Sequence, residues 1–272
     1  MAPPNAPSDV SPVQRIVFPG GGTARPAPRE LAQETPIAFE YNGLGYAVML
    51  ASPCDLDDFA YGFTWAEGLA DSVADILSLD IAELDDGAIV RIILPDDRAA
   101  PLRERLRLRL VEGSCGLCGL ETIEEVLRPL PRLDDRPSVD PAAIAAALQA
   151  FRDHQPLGQA TGAMHGAAWC APDGSILAAR EDIGRHNALD KLVGHMVRER
   201  HDPASGFVLL SARCSYELVE KTVRARIPAL VTISAASDLA VRRAKEARLT
   251  LVSLARADGA LVMSDPHGVF AA

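Results

Sequence analysis

Apolar residues recur along most of this chain with two spacings, and the change from one to the other marks where the backbone must turn. Ile37-Ala38-Phe39-Glu40-Tyr41 and Tyr46-Ala47-Val48-Met49-Leu50 are strand-like runs on either side of Asn42-Gly43, a pair that favours a tight hairpin turn. A helix is expected over residues 55–69, then strands over 76–79 and 88–94. Residues 130–140, rich in Pro, Arg and Asp, read as a connector. Asp140 then stands as an N-cap with Pro141 at the first helical position, and an alanine-rich helix runs to about His154. Residues 164–170 and 175–179 flank Ala171-Pro172-Asp173-Gly174 and predict a second hairpin. After Asp182-Ile183-Gly184, apolar residues at Ala188, Leu189, Leu192, Val193, Met196 and Val197 mark a helix by their three-and-four spacing.

From Phe207 onward short apolar runs alternate with amphipathic ones: strands at 207–210, 229–233 and 249–254, helices at 215–226 and 238–247. This βαβαβ order implies parallel strands with helices on the faces of the sheet, and ligands in such sheets bind beyond the carboxyl ends of the strands. Residues 211–215, 234–237 and 254–259 should lie there. The first two precede helices, whose free amides suit an anion, and Arg213 and Arg256 can add charge. Taken singly, Ser215 and Ser237 read as helix caps. Taken together, the three loops read as the site of a nucleotide-like ligand.

Composition sets the frame. The chain has 272 residues, 48% hydrophobic and 24% charged, enough for one large domain or two small ones. Residues 1–30, rich in Pro, Ala and Gly without apolar periodicity, read as a mobile tail. Residues 31–130 form a smaller, mainly β region with one helix, holding no obvious catalytic cluster in its first part, and residues 131–272 form an α/β domain. No apolar run reaches the length of a bilayer span, and the first residues lack the order of a secretory signal, so no membrane partner and a cytoplasmic location are expected. A net charge of −10 argues against general nucleic-acid binding. Cys54, Cys170 and Cys214 are scattered singly and are expected as buried core thiols.

Cys115-Gly116-Leu117-Cys118-Gly119 carries the clearest chemistry. Two thiols three positions apart can both reach one small atom, and the glycines let a loop move between partners. Glu121-Thr122-Ile123-Glu124-Glu125-Val126-Leu127 reads as a short helix whose amides favour thiolate, against which its glutamates act. Zinc is the main competitor for the pair. The His-x-Glu partner of zinc deaminases is missing, since Gly166-Ala167 follows His165, and no second ligand pair exists, so no metal is expected. A thioredoxin-like role lacks its strand and its Trp. His186 sits with Asp182, Arg185 and Asn187 at the start of a helix, which suits a pocket wall recognising a polar ligand or a group that fixes the loop. Asp190 and Lys191 are expected on a helix surface or a dimer contact.

These segments carry a resemblance. Gly62-Phe63 with Glu67-Gly68, the thiol loop, Thr161-Gly162 with His165, Glu181-Asp182-Ile183-Gly184-Arg185-His186-Asn187-Ala188-Leu189-Asp190-Lys191, and Ser211-Ala212-Arg213 with Ser215-Tyr216-Glu217 are similar to the formate dehydrogenase accessory sulfurtransferases, the FdhD family. The resemblance implies a cytoplasmic, homodimeric sulfur carrier with a three-layer α/β domain like that of cytidine deaminases. It would receive sulfur as a persulfide from a cysteine desulfurase and deliver it to the molybdenum or tungsten bis(molybdopterin guanine dinucleotide) cofactor of formate dehydrogenase. By position it places the persulfide on Cys115, and the guanine dinucleotide contact on Leu254-Ala255-Arg256-Ala257-Asp258-Gly259. That loop departs from the family pattern, with Ser253-Leu254 where relatives commonly have Gly-Phe and Asp258-Gly259 where they have a basic residue. Cys118 could release the sulfur by forming a disulfide, support the thiolate or act as a second carrier. A cofactor-binding chaperone with incidental thiols is the competing function.

Overall fold

The computed structural model describes residues 7–16, 24–99, 102 and 129–270; Cys115, Cys118 and the helix expected over 121–127 lie outside the described residues. The beginning of the chain departs from the expected tail. Strands β1 (Ser8–Arg15) and β2 (Arg25–Ala32) pair antiparallel, with Ser8 opposite Ala32 and Pro12 opposite Pro28. Both strands are polar and proline-rich, so backbone pairing defines them and apolar periodicity cannot reveal them. The Arg29 guanidinium donates to the Thr161 carbonyl at 2.6 Å, fastening this ribbon to the later part of the chain.

A four-stranded sheet in the order β4-β3-β6-β5 comes next, built from β3 (Thr35–Tyr41), β4 (Leu44–Ala51), β5 (Ser78–Leu84) and β6 (Gly87–Ile93). Asn42 and Gly43 turn β3 into β4 with φ of 49° and 78°, the left-handed pair that a two-residue hairpin requires. The strand expected over 76–79 begins at Ser78, after a 3-10 turn at Val73–Asp75. Helix α1 (Leu56–Ala66) covers one face of this sheet. Phe39 of β3 meets Phe59 and Phe63 of α1 with ring centroids 5.1 and 4.4 Å apart, and Ile37, Tyr41, Val90 and Ile92 complete the same core.

The larger sheet has six strands in the order β12-β11-β10-β9-β7-β8. They are β7 (His165–Cys170), β8 (Ile176–Asp182), β9 (Phe207–Leu210), β10 (Ala229–Thr232), β11 (Thr250–Arg256) and β12 (Gly259–Ser264). As the βαβαβ pattern requires, β9, β10 and β11 run parallel. Asp140 caps α2 (Pro141–Phe151), its carboxylate accepting from the Ala143 amide at 2.8 Å, and a 3-10 turn, Arg152–His154, extends it. The short α3 (Pro156–Thr161) follows, then α4 (Arg185–Arg198), α5 (Tyr216–Arg224) and α6 (Asp238–Glu246). Every residue of β9 and β10 is buried. Phe207 and Leu209 share a core with α2, while Val208 and Leu210 share another with α4, α5 and α6, so the sheet is covered on both faces and its central strands are continuously apolar.

The two sheets meet where α1 crosses α4. A Cβ on Gly62 would lie 1.7 Å from the Asp190 carbonyl oxygen, and one on Gly194 would lie 1.8 Å from that of Asp58, so the backbones touch at two glycines. Among the described residues no helix is long and apolar enough to cross a membrane.

Candidate functional site

The carboxyl ends of β9 and β10 bring together residues that the sequence holds far apart. Ser211, immediately after β9, accepts a hydrogen bond at its Oγ from the Gly166 amide at 2.9 Å and lies 3.4 Å from His165 Nδ1 at the start of β7. Cys214 and Ala236 form a parallel bridge that ties the loops after β9 and β10 to each other. His186, in the first turn of α4, places Nε2 2.8 Å from Glu217 Oε2 and 3.3 Å from Ser215 Oγ. The cap reading holds for Ser237, whose hydroxyl accepts from the Ala240 amide at 3.2 Å. It fails for Ser215, which sits at the N-cap of α5 without a capping bond because its oxygen faces His186 and Glu217.

The electrostatics of this edge favour an anion. Burial lowers the pKa of the His165 ring, and nearby Arg185, with smaller effects from His186 and Arg213, adds to the shift against the opposing pull of Asp182. His165 thus stands beside the Arg185 and Arg213 guanidiniums, with its ring nitrogen facing Ser211. The hydrogen bond from His186 holds the Glu217 carboxyl below its ordinary value against the opposing effect of burial. The contribution of this pair to stability is then complete above the ordinary glutamate range and is lost as pH falls through the lowered value. In a carbon-detected NMR titration, His186→Ala should move the Glu217 midpoint upward; an unmoved midpoint would refute the contact.

Residues 254–259 do not form an open loop. Leu254, Ala255 and Arg256 end β11, Ala257 and Asp258 make the turn, and Gly259 opens β12, which pairs antiparallel with β11. The edge strand β12 closes what reads, from sequence alone, as a terminal loop. Leu254 has φ of 54°, a left-handed conformation costly for a branched residue, within a register shift between Ser253 and Arg256. Its amide donates to the Ser234 carbonyl at 3.2 Å, so this segment is joined to the loop after β10. Arg213 and Arg256 are both exposed.

The long motif from Glu181 to Lys191 bolts the two sheets together. Lys191 Nζ lies 2.7 Å from Asp182 Oδ2 with both side chains fully buried, and it also donates to the Ser52 carbonyl at 2.9 Å. Asp182 accepts from the amides of Ser52 and Gly184 at 2.9 and 2.7 Å and from Asn187 Nδ2 at 3.0 Å. Glu181 accepts from the Leu157 and Gly158 amides at the start of α3. Asp190, buried against Lys221 at 2.7 Å, has its carboxyl pushed up by burial, partly offset by that lysine. Asp190 and Lys191 are thus interior residues, contrary to the expected surface or dimer contact; the partners Lys221 and Ser52 lie 31 and 139 positions away.

Sequence reasoning also missed Asp58, a buried carboxylate accepting from Arg180 Nε at 2.7 Å and Arg198 Nη1 at 2.5 Å. It missed the Glu217 partnership as well, for which an acidic residue two positions after Ser215 was the available signal. Cys170 and Cys214 are buried thiols, pushed up to about 12 by desolvation. Cys54 is only half-buried, 3.7 Å from Lys191 Nζ, and burial raises its thiol against the pull of that ammonium.

Fold and edge together define a mixed α/β protein whose largest sheet ends in a cluster of serines, histidines and arginines suited to anion recognition. The chain belongs to the FdhD/NarQ family, whose model matches residues 32–270. It is similar to a sulfur carrier protein FdhD of Xanthomonas euvesicatoria pv. vesicatoria, 42% identical over 267 residues, covering 94% of this chain and 95% of the relative. A sulfur carrier protein FdhD of Bordetella petrii is 43% identical over 237 residues, covering 87% and 85%. The crystal structure of a protein from Desulfotalea psychrophila, named as a formate dehydrogenase accessory protein, superposes with a TM-score of 0.76 over 97% of this chain and 100% of that one, at 22% identity, a likeness of fold.

Proposed function

We propose that this chain is a sulfur carrier required for formate dehydrogenase activity, acting in the cytoplasm as a homodimer. Cys115 is the carrier: its thiolate attacks the terminal sulfur of a persulfide on a cysteine desulfurase, the donor S–S bond breaks, and the desulfurase thiolate leaves. The substrate that receives the sulfur is the molybdenum bis(molybdopterin guanine dinucleotide) cofactor before its insertion. Delivery at the sulfide level needs two electrons. Cys118 supplies them by attacking the Cys115 sulfur, which releases the outer sulfur to the metal and leaves a Cys115–Cys118 disulfide.

The observation that carries this reading is the gathering of Arg185, His186 and Arg213 with His165, Ser211 and Ser215 at the carboxyl edge of β9 and β10, in a chain whose relatives are named sulfur carriers. Phosphates of a guanine dinucleotide are the anions this edge suits, with Arg256 and the β11–β12 turn beside it. The six-stranded sheet with its two helical layers is, in this reading, the cytidine deaminase-like domain. After incubation with a desulfurase and cysteine, mass analysis of proteolytic peptides should find one added sulfur on Cys115. Sulfur found only on Cys54, Cys170 or Cys214 would overturn the assignment, and its absence from every cysteine would favour a cofactor-binding chaperone.

A further inference from the structure

Helices α4, α5 and α6 end alike, with an arginine in the left-handed position just beyond the helix: Arg200, Arg226 and Arg248 have φ of 57°, 60° and 60°. Glycine takes this position without steric cost, and an arginine does not. The first two ends are closed by backbone bonds, His201 N to Met196 O at 2.9 Å and Ile227 N to Thr222 O at 3.1 Å. At the third the side chain has an internal use, since Arg248 pairs with Asp134 at 2.8 Å. Arg200 and Arg226 have none. Both are exposed, and among the described residues neither guanidinium has a carboxylate partner, whereas Arg198 and Arg224 close by each have one.

Arg200 and Arg226 both line a half-open groove of about 310 Å³ whose apolar lining includes Trp65, Met196, Val197 and Ile227. The Trp65 indole N–H is already satisfied by the Arg224 carbonyl at 3.3 Å, so the ring asks for no polar partner from the groove. The nearest acids in sequence, Glu199 and Asp202, are not among the lining residues, and Asp202 is turned to the Ala204 amide at 3.0 Å. The groove lies beside the ends of α4 and α5, next to the amino ends of β9 and β10. That is the sheet edge opposite the candidate site, so an occupant of one does not compete with a ligand at the other.

We propose that this groove docks an acidic amphipathic segment of a partner protein. An apolar side chain enters between Trp65 and Ile227, and carboxylates on either side of it meet Arg200 and Arg226. Two unpaired cations beside an apolar cleft, in a chain of net charge −10, are a local feature that selects such a segment by charge complementarity. The test uses a fluorescein-labelled peptide with Phe and Leu one helical turn apart among glutamates, and a second peptide with lysines in place of the glutamates. Anisotropy with the full chain should show saturable binding of the acidic peptide alone, weakening as salt rises. The variant Arg200→Gly/Arg226→Gly removes both charges and also relieves both left-handed residues, so it should melt at or above the wild-type temperature while binding the acidic peptide at least about tenfold more weakly. Failure of the acidic peptide to bind, equal binding of the lysine peptide, or unchanged affinity in the glycine variant would each overturn the proposal.

Discussion

Gly194→Ala should cost this protein about 3 kcal/mol or more, at or beyond the upper end of what over-packing a well-filled contact usually costs. Two effects compete at this position. Alanine is the better helix former by about 0.5–1 kcal/mol, which would stabilise α4 in isolation. Its Cβ, however, would stand 1.8 Å from the Asp58 carbonyl oxygen and 2.7 Å from the Gly62 amide nitrogen, both of them backbone atoms that no rotamer change can move aside. The helices must therefore separate, and with them the contact that joins the two sheets. Gly62→Ala meets the same obstacle from the other side, its Cβ 1.7 Å from the Asp190 carbonyl oxygen. Gly45→Ala serves as the control, because nothing lies within 4 Å of a Cβ there. Urea denaturation should show a large fall in midpoint for the first two variants and almost none for the third. Equal midpoints for Gly194→Ala and Gly45→Ala would mean that α1 and α4 do not touch as described.

Lys191→Met should destabilise the fold by about 3–5 kcal/mol, the usual cost of leaving one member of a buried ion pair alone. Asp182 would then carry a carboxylate in the interior with only the amides of Ser52 and Gly184 and the Asn187 side chain to solvate it, and the Ser52 carbonyl would lose its donor. Asp182→Asn/Lys191→Met removes the stranded charge as well and should recover part of the loss. A double-mutant cycle on urea midpoints measures the coupling directly. A loss under about 1 kcal/mol for Lys191→Met would contradict a buried pair. The effect should extend to the candidate site, because Asp182 and Asn187 fix the first turn of α4 that presents His186.

Much of this architecture is legible locally. Asn42-Gly43 predicts its hairpin because only certain residues tolerate two left-handed conformations in succession, and Asp140-Pro141 predicts its helix start because cap and ring chemistry act within one turn. Where a strand lacks an apolar face, that signal vanishes, as in β1 and β2. The apolar run of β12 was present in the sequence, but only its pairing with β11 shows that the expected ligand loop is a hairpin. His186 and Arg213 can be named from the sequence as site residues, but the place of His165 beside Ser211 and of Glu217 beside His186 cannot, because these partners are 46 and 31 positions apart.

By itself, the sequence determined most of the order of strands and helices among the described residues from 35 onward, α3 and β12 excepted, and the parallel βαβαβ run, since apolar spacing and turn chemistry act over a few residues. It also determined where the thiol pair stands along the chain. Tertiary structure alone decided which charged side chains are interior and which cations share an edge. Asp190 and Lys191 look like ordinary helix-surface residues, and Asp182 like part of a pocket wall, until Ser52 and Lys221 fold against them, and a charge can be buried only once its partner has arrived.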